Sequence, residues 1–353
     1  MKQADSLFLN MRFIKFIIIW TILSSCSGEK YDCVYMNGLP ESGFTIDYAC
    51  FLNQDSGIII GRHKEYIDSI PTRYSNSIEI YLTQNKGAKC LLKSEIPFDD
   101  IIHIGNKIKN DSCLFVSLFS QNEDAYILQI THNPEYSAKL VSTGKTRYSP
   151  IAFKYNLLYS SACSKGEHSL ITMDSTFHVL NCILSPPISH GLFEEDYLIA
   201  IRRYVRNKNL FVLDKSGQWN IYTCPSEPSF IAKLENGICI AGYNKSNGIE
   251  LYSYTQPSYN PQLIYSSDYY TFVKDLITDK SNTIILVLGY QAGIFMAYKL
   301  VVSNNLGQDW KTFDIPNSML YSACTLHGDN VYIFLTNAQL IQYNIANPLI
   351  PDN

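Results

Sequence analysis

The stretch Ser303-Asn304-Asn305-Leu306-Gly307-Gln308-Asp309-Trp310 decides how the rest of the chain is read. It joins a hydroxyl, an amide two residues on, a glycine two further on and a closing tryptophan. Such a segment makes a self-sealing hairpin turn: the amide bonds nearby backbone donors, the glycine supplies a positive φ, and the ring packs inward. Less complete copies recur. Thr83-Gln84-Asn85-Lys86-Gly87-Ala88-Lys89-Cys90 keeps the hydroxyl, amide and glycine but ends on cysteine. Three others keep only the five-residue offset from Asp or Asn to an apolar residue: Asn133 to Ala138, Asp174 to Val179 and Asp214 to Trp219. The Asp/Asn positions 85, 133, 174, 214 and 305 lie 48, 41, 40 and 91 residues apart, the last close to twice 45. A spacing of about 40 to 50 residues is that of a four-stranded repeat unit.

Composition agrees with strands. The chain has 353 residues, 46% of them hydrophobic, so it must bury a substantial core. Its 26 Tyr and 17 Phe, with short Ile, Val and Leu runs in place of long amphipathic stretches, favour β-structure. Twenty-eight basic against 32 acidic residues leave no cationic excess to displace counterions from phosphates, which argues against a nucleic-acid partner.

The segment 303–310 resembles the Asp-box (BNR) repeat of sialidase-like β-propellers. The resemblance implies an all-β fold, a seven-bladed β-propeller, with six or eight blades as alternatives. Strands set around the repeats give blades at about Phe44–Leu92, Phe98–Ser142, Ser149–Leu184, His190–Cys224, Ser229–Tyr265, Tyr270–Ile315 and Tyr321–Asn344. The last is short, and Asp32-Cys33-Val34-Tyr35-Met36 is expected to complete it and close the ring. In this scheme Thr83, Asn85, Gly87, Ser303, Asn305, Gly307 and Trp310 are structural, lying in c–d hairpins on the face opposite a binding site.

The b–c and d–a connections then carry function. The first b–c connection is read as a long loop, Arg62 to Tyr74, containing Arg62, His63, Tyr66 and Arg73. Arg203 and Tyr204 fall in the fourth b–c loop, Tyr243 begins the fifth, and Arg147, Tyr148 and Tyr270 lie in d–a connections. Arg and Tyr together give large contact area with polar tips, as binding surfaces do. These residues are therefore expected to gather at one channel mouth and hold a protein or glycan ligand.

Catalytic signals are weak. A sialidase would need an arginine triad, a Tyr/Glu nucleophile pair and an Asp acid/base. Ser69-Ile70-Pro71 lacks the arginine that the family's Arg-Ile-Pro motif requires. The seven histidines are scattered, and no metal spacing, cofactor loop or Gly-x-Ser-x-Gly is present. No cofactor and no metal are expected. The reading favours a monomeric binding module over an enzyme, with a glycan-active hydrolase or lyase at the central channel as the alternative.

The N-terminus reads as an address. Arg12 and Lys15 precede Phe16-Ile17-Ile18-Ile19-Trp20-Thr21-Ile22-Leu23, an export h-region of about half the ~20 residues that span a bilayer. Leu23-Ser24-Ser25-Cys26 resembles the lipobox of bacterial lipoproteins. The expected organisation is a signal peptide over 1–25, starting at residue 1 or Met11, a lipidated linker over 26–31 and one propeller domain over 32–353. Removing the signal takes a net +2 from a chain of charge −4 and leaves −6, so acyl chains on Cys26, rather than charge, would hold it to the membrane. The expected location is the bacterial cell envelope, facing the periplasm or the cell surface, with the outer membrane favoured over the inner. The other nine cysteines are spread singly, and those within apolar runs, such as Cys113, read as small buried hydrophobes.

Overall fold

The computed structural model describes residues 31–345, apart from 41–42, 54, 70–71, 99–101, 110–111, 133–134, 145, 165, 203–207, 256–259, 280–282, 293–294 and 317–319. The expected signal segment and Cys26 lie outside the described residues. Among those described there is no α-helix, and 28 strands form seven four-stranded antiparallel sheets.

Strand β1 (Asp32–Tyr35) opens the chain. Blade 1 contains β2 (Phe44–Phe51), β3 (Gly57–Ser69), β4 (Thr72–Gln84) and β5 (Lys89–Phe98). Blade 2 contains β6 (Ile102–Lys109), β7 (Cys113–Ser120), β8 (Ala125–Thr131) and β9 (Ser137–Gly144). Blade 3 contains β10 (Arg147–Lys154), β11 (Leu157–Ser164), β12 (Glu167–Met173) and β13 (Val179–Leu184). Blade 4 contains β14 (His190–Glu194), β15 (Tyr197–Ile201), β16 (Asn209–Leu213) and β17 (Trp219–Thr223). Blade 5 contains β18 (Glu227–Leu234), β19 (Gly237–Tyr243), β20 (Ile249–Thr255) and β21 (Asn260–Ser267). Blade 6 contains β22 (Phe272–Thr278), β23 (Ile284–Ala292), β24 (Phe295–Ser303) and β25 (Lys311–Asp314). Blade 7 joins β26 (Tyr321–His327), β27 (Asn330–Leu335) and β28 (Gln339–Asn344) to β1, in the order β1-β28-β27-β26.

This is a seven-bladed β-propeller, and the first and last described strands share its last blade, as the sequence predicts. Second strands read as apolar runs because blades pack face to face and bury both sides of them. Ile58, Ile59 and Ile60, Ile284 to Leu288 and Val331 to Leu335 are all almost wholly enclosed. Outermost strands lose this cover, so Val179, Leu180 and Leu184 of β13 are exposed. Blades 7 and 1 meet through the rings of Phe51 and Tyr332, 4.1 Å apart. The nine described cysteines are free thiols; Cys50, Cys90, Cys224 and Cys239 are buried, and burial raises the pKa of each.

One expectation is corrected. Residues 62–69 and 72–74 are not a loop: β3 and β4 stay paired from Gly57↔Thr83 to Ser69↔Thr72. The strand-forming residues Tyr66, Thr72 and Tyr74 prolong the ladder, with a register shift between Tyr66 and Asp68.

Candidate functional site

Inner strands line the axis of a propeller, and here most of them are irregular in the same place. Their pairing to the second strand is interrupted at Ile46/Tyr48 in β2, Ile104/Lys107 in β6, Pro150/Ala152 in β10, Pro228/Phe230 in β18, Val273/Asp275 in β22 and Tyr321/Ala323 in β26. Only β14 pairs without a break. A bulge adds an unpaired residue and re-aims its side chain. The added residues include Asp47, Asn106, Ile151, Ser229, Lys274 and Ser322.

These residues divide by position around the ring. Asp47, Asn106, Lys274 and Ser322, from the consecutive blades 6, 7, 1 and 2, line one central cavity of about 1020 Å³. Ile151 and Ser229, from blades 3 and 5, are buried instead. Tyr48, Phe230, Tyr243 and Phe272 add aromatic surface to the cavity, and His190 faces it from blade 4.

Most polar groups of the channel are held in place by neighbours. Asp47 accepts two hydrogen bonds from Arg62, at 2.7 Å from Nε and 2.8 Å from Nη2, a bidentate pair. Lys107 donates to the Asp47 carbonyl at 2.6 Å and lies 5.7 Å from the Tyr48 ring centre. Asn106 donates to the Ser189 carbonyl and Ser322 to the Ile46 carbonyl. Tyr321 donates to Asp275, and its phenol pKa is pushed well above the ordinary value, first by burial and then by that carboxylate. Burial, again with Asp275 nearby, raises the Cys324 thiol in the same direction, so it is a poor nucleophile. Lys274 differs: it is exposed and makes no ion pair among the described residues.

Strand alternation puts Arg62, His63, Arg147, Tyr148, Tyr243 and Tyr270 toward the end where inner strands begin, opposite Asn85 and Asn305. Arg62 is tied to Asp47. His63 Nδ1 lies 2.6 Å from Glu79 Oε1, and Glu79, 4% exposed, also accepts a hydrogen bond from Tyr81 at 2.5 Å. Arg147 sits 5.7 Å above the Phe119 ring. Tyr148 packs against the core around Phe115, and Tyr270 is buried beside the exposed Tyr269, ring centres 5.1 Å apart. Tyr243 reaches the channel, where its hydroxyl accepts from the Val273 amide at 3.4 Å. Tyr66 and Arg73 lie on the prolonged hairpin of blade 1, and Arg203 and Tyr204 lie outside the described residues.

The sequence reading missed Asp47, Asn106, Lys274 and Ser322. Their signal was a polar residue interrupting an inner strand, as in Thr45-Ile46-Asp47-Tyr48 and Val273-Lys274-Asp275. That signal is weak in one strand alone, because a bulge is defined by the pairing register of two.

No known protein family matches the chain, and no curated protein matches it in sequence. Solved structures do match its shape. The uncharacterized protein lmo1340 from Listeria monocytogenes EGD-e superposes with a TM-score of 0.54 at 14% identity, over 89% of this chain and 98% of that one. A streptogramin B lyase gives 0.56 at 10% identity, over 88% and 97%. YCF48 bound to D1 peptide gives 0.52 at 12%, over 92% and 98%. At these identities the likeness shows the fold alone. The chain is thereby a seven-bladed β-propeller with a polar channel built by bulges in four adjacent blades.

Proposed function

We propose that this chain is a lipid-anchored envelope β-propeller that binds a protein segment at its central channel and performs no chemistry on it. One observation carries this reading: Lys274 stands in the channel without an ion-pair partner among the described residues, beside bulge residues already fixed by neighbours. An exposed ammonium in a preorganised polar wall suits a carboxylate of an acidic segment, and the aromatic residues suit its apolar neighbours. That a propeller of the same fold has been seen with a peptide agrees with a protein partner.

The enzyme alternative is less well supported. Glycoside hydrolysis uses two carboxyl groups, one to protonate and one to attack or activate water. Asp47 and Asp275 are engaged by Arg62 and Tyr321. Binding is tested by fluorescence anisotropy with labelled acidic, neutral and basic peptides. The acidic peptides should bind best and more weakly as salt rises, and Lys274→Gln should weaken them about tenfold, as for one charged hydrogen bond. Equal binding of all three, or no effect of Lys274→Gln, would remove the reading.

The anchor rests on Leu23-Ser24-Ser25-Cys26 after its apolar run. Cys26→Ala should move the protein from the membrane pellet to the soluble fraction. Retention of the cleaved variant in carbonate-washed membranes would refute lipidation.

A further inference from the structure

A second cavity, of about 410 Å³, lies at the opposite end of blade 1 from the channel mouth and is lined in part by Leu52, Leu82, Thr83, Gln84, Lys93 and Tyr136. Its volume falls within the roughly 300–1,000 Å³ of small-molecule sites. At its wall Thr83 is 1% exposed, yet its Oγ1 has no hydrogen-bond partner. Buried hydroxyls are normally bonded, because withdrawing one from water without a partner costs free energy. Gly57 stands opposite Thr83 across the ladder, where a Cβ would come within 3.1 Å of Oγ1 and 2.5 Å of the Cys50 carbonyl. Only glycine fits there, because any Cβ would run into the Cys50 carbonyl.

We infer that this cavity binds an acidic monosaccharide unit. Thr83 and the exposed Gln84 amide can each donate and accept, which matches sugar hydroxyls. Lys93 is exposed, makes no ion pair among the described residues, and supplies a cation for a carboxylate. No lining residue is acidic, so nothing at the wall repels an anion. The Tyr136 hydroxyl is already bonded to Ser94 at 2.9 Å, which leaves its ring, with Leu52 and Leu82, to meet the apolar face of a pyranose. The site is independent of the channel.

The test is saturation-transfer NMR on the full chain with methyl glucuronide and methyl glucoside, together with thermal melting. The glucuronide should bind more tightly than the glucoside, and Lys93→Gln should erase that preference. Thr83→Val should weaken the glucuronide about tenfold without lowering the melting temperature, since it removes an unpaired hydroxyl. Thr83→Ser should retain binding, and Lys274→Gln should leave it unchanged, so this site and the channel stand or fall separately. Absence of saturation transfer from both sugars, or undiminished binding by Thr83→Val, would overturn the proposal. A fall in melting temperature for Thr83→Val without sugar binding would mean that the hydroxyl serves only a trapped water, and would overturn it as well.

Discussion

The turn at 303–310 closes on itself, whereas the turn at 83–90 is held from outside. In blade 6 the Ser303 hydroxyl accepts from the Gly307 amide at 2.8 Å and donates to Asn305 Oδ1 at 2.9 Å, and that oxygen also accepts from the Asp309 amide at 2.9 Å. Trp310 then fastens the turn to the neighbouring blade: its Nε1 lies 2.8 Å from the Ile264 carbonyl and its ring 5.0 Å from that of Tyr265. In blade 1 the Gly87 amide bonds the Gln84 carbonyl instead, and Cys90 stands where the tryptophan would be. The segment after β1 takes over: the Asn37 amide bonds the Ala88 carbonyl at 3.0 Å, and its carbonyl accepts from the Cys90 amide at 2.7 Å. Once an outside strand holds the turn, its hydroxyl is released for another use. The same four-letter pattern therefore marks a position in the blade more reliably than it marks a set of bonds.

The sharpest way to break this comparison is at the closing residue. Trp310→Ala should cost about 3 kcal/mol, the low end for a large aromatic because the ring is only half-buried. Cys90→Ala should cost about 1 kcal/mol or less, since the backbone of Asn37 holds that turn. Thermal or urea unfolding of both variants decides it, and equal losses would mean that the two turns are anchored alike.

The glycines come next. Gly87 and Gly307 have φ of 89° and 86°, so alanine at either costs about 1–2 kcal/mol from backbone conformation. Sterics should then separate them. A Cβ at position 307 would meet the branched Ile264 Cβ at 2.8 Å, while one at 87 would meet the free tip of Leu340, Cδ2, at 2.4 Å. Gly307→Ala should be the costlier change, and the reverse order in unfolding experiments would show that the tip of Leu340 has nowhere to go.

The fold was legible from these turns because their spacing is a property of the repeat and survives the decay of individual bonds. Seven blades could be counted even where Trp was lost at position 90, and β1 was recognisable as the missing strand of blade 7. The site was far less legible. Arg62 reads in the sequence as a loop arginine but lies within β3, and its partner Asp47 sits in an inner strand whose apolar run it interrupts. Arginine in a sequence says nothing about whether a carboxylate fifteen residues away will hold it. A bulge is a statement about two strands, and one strand's residues do not contain it.

The hydroxyls should respond with opposite signs. Ser303→Ala leaves the Gly307 amide without its 2.8 Å acceptor and should cost about 1–2 kcal/mol. Thr83→Val removes an unpartnered buried oxygen while conserving shape, and should be neutral or stabilising by up to about 1 kcal/mol. Parallel melting curves are sufficient, and a loss for both would return Thr83 to a structural role.

The smallest effect concerns acid, and it extends the comparison to blades 3 and 4. There the turn acceptor is a carboxylate: Asp214 Oδ1 takes bonds from the Ser216 hydroxyl at 2.6 Å and the Gln218 amide at 3.0 Å, and Asp174 does the same with Thr176 and His178. The Ser216 bond first, then the Gln218 amide, lowers the Asp214 pKa, and Thr176 leads the same effect at Asp174. A depressed folded-state pKa means that the stabilisation is complete above the unfolded value of about 3.9 and is lost as pH falls through the lower folded value. Asn305 accepts in the same geometry but does not titrate near that pH. Asp214→Asn should therefore leave the melting temperature at pH 7 nearly unchanged and make it fall less steeply below about pH 4. The slope will not vanish, because Asp196, lowered to about 2 by Lys154 and Lys215, titrates in the same range. A variant that loses stability at pH 7 while its acid slope flattens would mean that the charge, and not the acceptor geometry, holds the turn.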